Sequence, residues 1–391
     1  MKYLLVSLAL LSVLACNKHR QFFDETTLFS LNLEFDEEVT ADEKRDILLH
    51  EQLGVKMETY AAKAWRRGGY SMRFPKHSYS IDLYDDVPLA NLPADDDWIL
   101  NANYIDKTFL RHVISYELFQ DMGADRVAPN TRYVELELNG VYNGLYVLME
   151  KLDKSTLGID AGDSAAVIFK EPHIFRDSYD GVVPEEPENF HQQKFPKIEE
   201  RDMTVYIESV RDFILESSDE EFTQQIASFF DLENVIDWHL LLLITNNSDG
   251  ILKGFYLYKI NEETPLRIAP WDYDHSFGRD GDNELNLDTR PLDIHRSILF
   301  ARLLEFEWYK KMLKARWGAL QKEGLLSMQG LKWRIHYQKE KIKPWVAKNF
   351  ELWPVDASWY FDDNGFEEEI QIMYQFVELR HHRLTEYFSN L

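Results

Sequence analysis

Cys16 is the only cysteine in 391 residues. Beyond it the chain can form no intramolecular disulfide, so its stability must come from burial. No apolar run reaches the ~20 residues that a membrane-spanning helix needs. Glycine (17) and proline (13) are sparse, which excludes collagen-like and low-complexity chains. Positive charge is short as well: 43 Lys and Arg face 68 Asp and Glu, a net charge of −25. That balance excludes an unspecific nucleic-acid binder, and any anionic ligand must be held by a few focused cations. No internal repeat is present, and none of the 12 histidines stands in a His-x-x-x-His zinc spacing. Aromatics are plentiful, with 10 Trp, 20 Tyr and 24 Phe, and hydrophobic residues make up 45%. Such a chain can bury a large core, in one large domain or two packed lobes.

The first sixteen residues form a separate signal. Lys2 precedes an apolar stretch from Leu4 to Leu14, broken only by Ser7 and Ser12, and Val13-Leu14-Ala15-Cys16 follows. A basic start, a short apolar run and a small residue before a cut describe an export signal over residues 1–15. Cysteine directly after Leu-Ala resembles the bacterial lipobox, which implies acylation of Cys16, a polar tether over 16–28 and membrane attachment through lipid alone.

The remainder divides into a strand-rich front and a helix-rich back. Leu31, Leu33 and Phe35 alternate with polar residues, as do Tyr79, Ile81 and Leu83, and Val55–Glu58 and Tyr70–Arg73 read as further strands. Asp106 is placed to cap a helix from Lys107, with Leu110, Val113, Ile114 and Leu118 as its apolar stripe and Gly123 as its stop. Asn139-Gly140 between two apolar runs predicts a hairpin ending near Met149. Helical periodicity then covers Met203–Leu215, Glu220–Phe230 and Leu232–Thr245, the last apolar nearly all round and therefore buried. Two short strands, Phe255–Ile260 and Leu266–Ala269, interrupt the helices, which resume from about Ile298. The expected fold class is α+β with two lobes, residues 29–150 and 151–391. Asp95-Asp96-Asp97 is read as a turn cap before a buried Trp98, and His381-His382 as a solvated pair.

The small β element is bracketed by acids. Asp249 follows the buried helix, and Asp272 and Asp274 follow the second strand. A hairpin returns to its starting point, so the two acidic loops are expected on one edge of a cleft. Phosphoryl transfer uses such a set: one carboxylate takes the acceptor proton while another holds Mg²⁺ on the phosphates. Turn-capping aspartates, a structural Ca²⁺ site and an inverting glycosidase fit the same spacing. A nucleotide would also need a cation, for which Lys76 is the candidate, with Glu117 the carboxylate to orient it; a solvated surface charge is the plainer reading of each.

The blocks then match in order. They run Arg67-Gly68, Phe74-Pro75-Lys76, Leu92-Pro93-Ala94, Trp98-Ile99-Leu100-Asn101, Asp106-Lys107, Leu110-Arg111, Tyr116-Glu117, Asn139-Gly140-Val141-Tyr142-Asn143-Gly144, Asn247-Ser248-Asp249 and Pro270-Trp271-Asp272-Tyr273-Asp274-His275-Ser276-Phe277-Gly278. Together they resemble the CotH (spore-coat protein H) kinase family over about residues 67–317. The resemblance implies an atypical protein-kinase-like fold that binds ATP with Mg²⁺ or Mn²⁺ and phosphorylates Ser or Thr of proteins outside the cytoplasm. It implies Asp249 as catalytic acid, Asp272 and Asp274 as metal ligands, and Lys76 on the phosphates. Glu117 as the lysine's partner follows by analogy with typical kinases, as do Met149 and Glu150 at the adenine-contacting hinge. Lys194, in Lys194-Phe195-Pro196, resembles a recurrent block of no assigned role.

Two positions depart from the family's pattern. Gly69 stands where Arg-Gly-Asn-Ser has its asparagine, and Gly254, after Lys253, stands where many members carry an asparagine five residues beyond the catalytic aspartate. The second departure leaves one alternative to an active kinase, a degenerate kinase that binds nucleotide without transfer; a surface glycan- or partner-binding module, with the aromatic side chains as stacking surfaces, is a separate reading of the same cleft.

Overall fold

The computed structural model of the chain describes residues 27–280, 285, 287, 292–355, 359 and 362–391. The export signal, Cys16 and nearly all of the tether lie outside them. No helix among the described residues is long and apolar enough to cross a membrane.

Seven strands form a closed barrel: β1 (Phe29–Glu34), β2 (Arg45–Leu53), β3 (Lys56–Arg67), β4 (Ser78–Pro88), β5 (Ala94–Asn101), β6 (Thr131–Leu138) and β7 (Val141–Glu150). Their order is β1-β2-β3-β4-β5-β7-β6, and β1 closes the ring by pairing parallel to β6, Leu31 beside Leu136. Alternation fills the interior, since every second side chain of a strand points to one face. Leu31, Leu33, Ile47, Leu49, Ala62, Ala64, Ile81, Leu83, Val134 and Leu136 pack there around Trp98 and Tyr146. β7 is apolar on both faces. Tyr146 and Leu148 point into the barrel, while Leu145, Val147 and Met149 join the core of the helical lobe.

The second lobe carries a four-stranded sheet ordered β11-β10-β8-β9, from β8 (Val167–Lys170), β9 (Gln193–Phe195), β10 (Phe255–Lys259) and β11 (Arg267–Pro270). Around it lie α1 (Arg111–Met122), α2 (Thr204–Glu216), α3 (Asp219–Phe229), α4 (Leu232–Thr245), α5 (Ile298–Leu303), α6 (Glu307–Lys322), α7 (Met328–Leu352) and α8 (Phe366–Asn390). The strand-rich front and helix-rich back give the two-lobed α+β arrangement expected of a kinase-like fold.

Every residue of α4 from Asn234 to Thr245 is buried. Two of its polar members fix its neighbours. Asn234 donates to the Ile268 carbonyl (3.0 Å) and accepts from the Ile268 amide (2.8 Å), stitching α4 to β11. Asp237, fully buried, meets Arg126 Nε and Arg316 Nε at 2.7 Å each. An ion pair buried this way is costly to break from one side, about 3–5 kcal/mol, because the remaining charge is stranded.

Several local readings change. Tyr70–Arg73 is one turn of 3-10 helix, not a strand. The first helix begins at Arg111, four residues later than Lys107, because Asp106 draws the intervening loop around itself. Its carboxylate accepts from the Thr108 and Arg111 amides at 3.1 Å each. Asp95-Asp96-Asp97 lies within β5 rather than capping a turn, although Trp98 is buried as expected. His381 is half-buried and its Nε2 meets Gln321 at 2.9 Å.

Candidate functional site

Between the lobes lies a cavity of about 990 Å³, lined by Lys76, Met149, Asp249, Asp272 and Asp274 among others. Five of the seven residues expected at a nucleotide site thus share one space. Glu117 and Glu150 are not among its lining residues.

Local structure explains how the acids converge. α4 stops at Asn246, whose left-handed backbone (φ 54°) reverses the chain. Asp249 then opens a short 3-10 turn, and β10 and β11 pair antiparallel from Phe255 beside Pro270. The hairpin brings Asp272 back towards Asp249. Asn247, fully buried, ties the two loops: its Oδ1 accepts from the Gly250 amide (3.0 Å) and its Nδ2 donates to the Asp272 carbonyl (3.3 Å). From the far side, Arg111 Nε donates to the Ser276 carbonyl (2.8 Å) and Arg279 pairs with Glu369 of α8, so the loop after Asp274 is clamped by two helices.

Gly254 has a definite role in this geometry. Its φ is +67°, and a Cβ there would stand 2.7 Å from the Trp271 carbonyl oxygen. Gly254 accepts the Trp271 amide at 2.8 Å, so the two ends of the hairpin are in backbone contact. A side chain at 254 would push the Asp272 loop outward; its absence is what allows this close approach.

Asp272 itself has φ 59°, a left-handed conformation that aspartate tolerates better than most residues. The Tyr116 hydroxyl accepts its amide at 3.1 Å. Its carboxylate opens into the cavity and lies 3.4 Å from His112 Nε2. His112, Asp272 and Asp274 present ligand atoms that all fall within 4.8 Å of one another. The side chain of Asp272 is 60% exposed to the cavity, so the cavity walls favour its neutral form only weakly, and the contact with His112, aided by His275 and Lys170, outweighs them and lowers the pKa. Burial raises Asp274, and the charge of Asp272 adds to that while His275 and His112 oppose it. For His112, burial resists protonation, yet Asp272, Asp274 and Asp106 prevail and raise it. Two close carboxylates with one histidine leave the group short of positive charge, which is the environment a divalent cation fits.

Asp249 is partly exposed, and its Oδ2 meets Lys253 Nζ at 3.0 Å. Arg67, at the end of β3, stacks its guanidinium 5.8 Å from the centre of the Trp271 ring. Among the described residues it makes no ion pair, so it is a cation available to an anionic ligand.

Lys76 is placed differently from the sequence expectation. Its ammonium is buried and donates to the Ala102 carbonyl (2.8 Å), the Leu145 carbonyl (2.5 Å) and Asn349 Oδ1 (3.1 Å). Three protons meet three acceptors, and no carboxylate among the described residues pairs with it. Burial presses its pKa well below the usual lysine value. Glu117 does not orient it. On α1 the residues facing the cavity are His112 and Tyr116, four apart on one face, and Glu117 is turned a further ~100° away. There it accepts from Gln338 Nε2 (2.8 Å) and lies 3.6 Å from Arg334, both on α7. Glu150 is likewise engaged, with Asn130 donating its amide (2.9 Å) and its side-chain nitrogen (2.9 Å) to one carboxylate oxygen. Lys194 is exposed on edge strand β9, and the cavity lining does not include it.

Residue-type reasoning missed Arg67, His112, Lys170 and Glu171 as cavity groups. Arg67 stood inside a quoted motif without a role, and the spacing of His112 and Tyr116 on one helix was the available signal. Lys170 ends β8 and Glu171 follows it, with no local pattern to mark them.

A family model described as CotH kinase protein matches residues 66–384. The chain belongs to the CotH kinase family. Among curated proteins it is similar to the inner spore coat protein H of Bacillus subtilis (strain 168), 23% identical over 334 residues, which cover 83% of this chain and 86% of the relative. The CotH match begins at Arg66, within β3, and so takes in both the end of the barrel strand that carries Arg67 and the two acidic loops.

Proposed function

We propose that this CotH-family protein is a phosphotransferase that binds ATP in the interlobe cavity and transfers the γ-phosphoryl to a hydroxyl, Ser or Thr of a protein outside the cytoplasm. The observation that carries the reading is the convergence of Asp249, Asp272 and Asp274 on one cavity with Arg67, which makes no ion pair among the described residues. Asp272 and Asp274 are the residues to hold Mg²⁺ or Mn²⁺, which supplies charge neutralisation on the phosphates when bound. Arg67 is suited to a phosphate oxygen, since a guanidinium offers paired donors and stays charged. Lys253 holds the Asp249 carboxylate and adds positive charge beside it.

In the transfer step the acceptor oxygen forms a bond to the γ-phosphorus as the bond to the β,γ-bridging oxygen breaks. The acceptor proton passes to Asp249, and ADP leaves with the bridging oxygen. Met149, at the end of β7, lines the cavity and would meet the base; Glu150 contributes backbone there, its side chain being held by Asn130. Residues 29–150 and 151–391 are the two lobes in this reading. Export and lipid attachment at Cys16 rest on residues 1–16, and a substrate outside the cytoplasm accords with a relative named as a spore coat protein.

The test is radiolabelled phosphate transfer from ATP by residues 17–391, with Asp249→Asn and Asp272→Asn beside it. Asp249→Asn should lose transfer by about 10²-fold or more and keep nucleotide binding, while Asp272→Asn should lose metal-dependent binding. Equal labelling by the parent and Asp249→Asn removes the catalytic assignment. Nucleotide binding with no transfer by any form supports the degenerate-kinase reading instead.

A further inference from the structure

His112 has no counterpart in the reading so far, and its surroundings are unusual. It sits in the first turn of α1, 5% exposed, and faces the cavity. Nδ1 is buried without a partner among the described residues. Nε2 has the Asp272 carboxylate at 3.4 Å, beyond a normal hydrogen-bond length. Among the described residues Nε2 therefore has only this long contact and Nδ1 has none, although the ring is buried and aimed at two acids. A buried polar side chain in that state calls for a ligand.

The spacing indicates which one. Two donors bound to one metal at ~2.1 Å stand roughly 3 Å apart when adjacent. The 3.4 Å between His112 Nε2 and Asp272 Oδ1 is close to that, and Asp274 completes a set within 4.8 Å. We infer that His112 is a direct metal ligand, so that this site takes one imidazole nitrogen and two carboxylates. Resting on the phosphotransfer reading, the inference adds the class of metal. An imidazole ligand suits first-row transition ions, whereas Mg²⁺ and Ca²⁺ favour oxygen donors throughout. The site selects Mn²⁺ or a similar ion over Mg²⁺. α1 then has a function that Glu117 does not supply: it carries a metal ligand from beside the barrel to the loop of the other lobe.

The test uses the purified 17–391 chain, Mn²⁺ and inorganic tripolyphosphate, which brings phosphate oxygens but no nitrogen. Electron spin-echo modulation of the bound Mn²⁺ should show a directly coordinated ¹⁴N. That signal should change on ¹⁵N-histidine labelling and vanish in His112→Asn. Calorimetry should show Mn²⁺ affinity falling by about tenfold or more in His112→Asn, with Mg²⁺ affinity within about threefold of the parent. Bound Mn²⁺ with phosphorus couplings but no nitrogen in the parent protein overturns the ligand assignment and leaves the phosphotransfer reading standing. Failure of both Mn²⁺ and Mg²⁺ to bind with tripolyphosphate or ATP overturns that reading instead. The parent spectrum decides the matter even if the variant folds poorly.

Discussion

Lys76→Met separates two views of the buried lysine. If its ammonium serves phosphates, the variant should fold normally and lose nucleotide. The hydrogen bonds favour the opposite outcome. Its three protons go to Ala102 O, Leu145 O and Asn349 Oδ1, so it joins β7 of the barrel to α7 of the helical lobe. Methionine fills a similar volume and strands those acceptors, at about 1–3 kcal/mol for each that finds no other donor. Against this, the variant no longer buries an ammonium, a saving of a few kcal/mol. Leu145 O and Ala102 O lie in the interior, where water is slow to substitute, whereas Asn349 also accepts the Leu145 amide at 3.1 Å and stays satisfied. Two stranded carbonyls, about 2–6 kcal/mol, less the few kcal/mol saved leave a net loss of about 0–3 kcal/mol. For a cooperative unit of a few hundred residues that is a drop of up to about 8 °C in melting temperature. ATP affinity, by calorimetry with Mg²⁺ or Mn²⁺, should stay within about threefold of the parent. Glu117→Gln is the matched control: it keeps the Gln338 contact and weakens the mostly buried pair with Arg334, so stability should fall by about 1–3 kcal/mol while ATP affinity does not change. A Lys76→Met protein that melts with the parent yet binds ATP more than about tenfold weaker would refute the reasoning.

Gly254→Asn tests the hairpin contact. Asparagine accepts the left-handed backbone, so the contact of its Cβ with Trp271 O dominates, and the expected destabilisation is about 1–3 kcal/mol with weaker metal binding at Asp272; unchanged stability in thermal unfolding with and without metal would count against it. Asp95 gives a pH effect. It is 4% exposed, and burial, with Asp153 and Asp96 adding, raises its pKa to about 6. A folded-state pKa above the unfolded ~3.9 means that this group favours the fold at low pH and that its contribution is lost as pH rises from ~4 through ~6. Asp95→Asn preserves the acceptor for the Asp97 amide and should therefore raise stability by about 1 kcal/mol at pH 8 and leave it unchanged at pH 4, by denaturant unfolding. An equal gain at both values would remove the titration as its cause.

What could be seen in the residues and what could not follow one physical division. The Asn139-Gly140 hairpin, the all-apolar α4 and the acids on either side of the β10–β11 ribbon are local: turn chemistry and helix termination act over a few residues, and a hairpin returns its ends together whatever else the chain does. Barrel closure is not local. β1 finds β6 across about a hundred residues, and nothing in Phe29–Glu34 names that partner. Tyr70–Arg73 has strand-like residues but sits where the chain must turn beside the cavity, and that context outweighs a weak propensity.

The same division governs the site. Asp249 and Asp272 need only the ribbon and the Asn247 bridge to meet. Lys76 depends on Asn349, 273 residues downstream, and Glu117 on Gln338, 221 residues away. Both side chains carry the charge a nucleotide site requires, and in both the partner that decides their role comes from α7. A helix glutamate can be assigned to the edge of an apolar stripe from its spacing, but which neighbour covers that edge is a tertiary fact. His112 shows the converse: it shares a face with Tyr116 at a spacing of four, so its approach to the Asp272–Asp274 loop follows from α1 alone once that loop is fixed by Arg111. The acid loops were therefore the part of the site that short-range reasoning could place, and the cations around them were the part it could not.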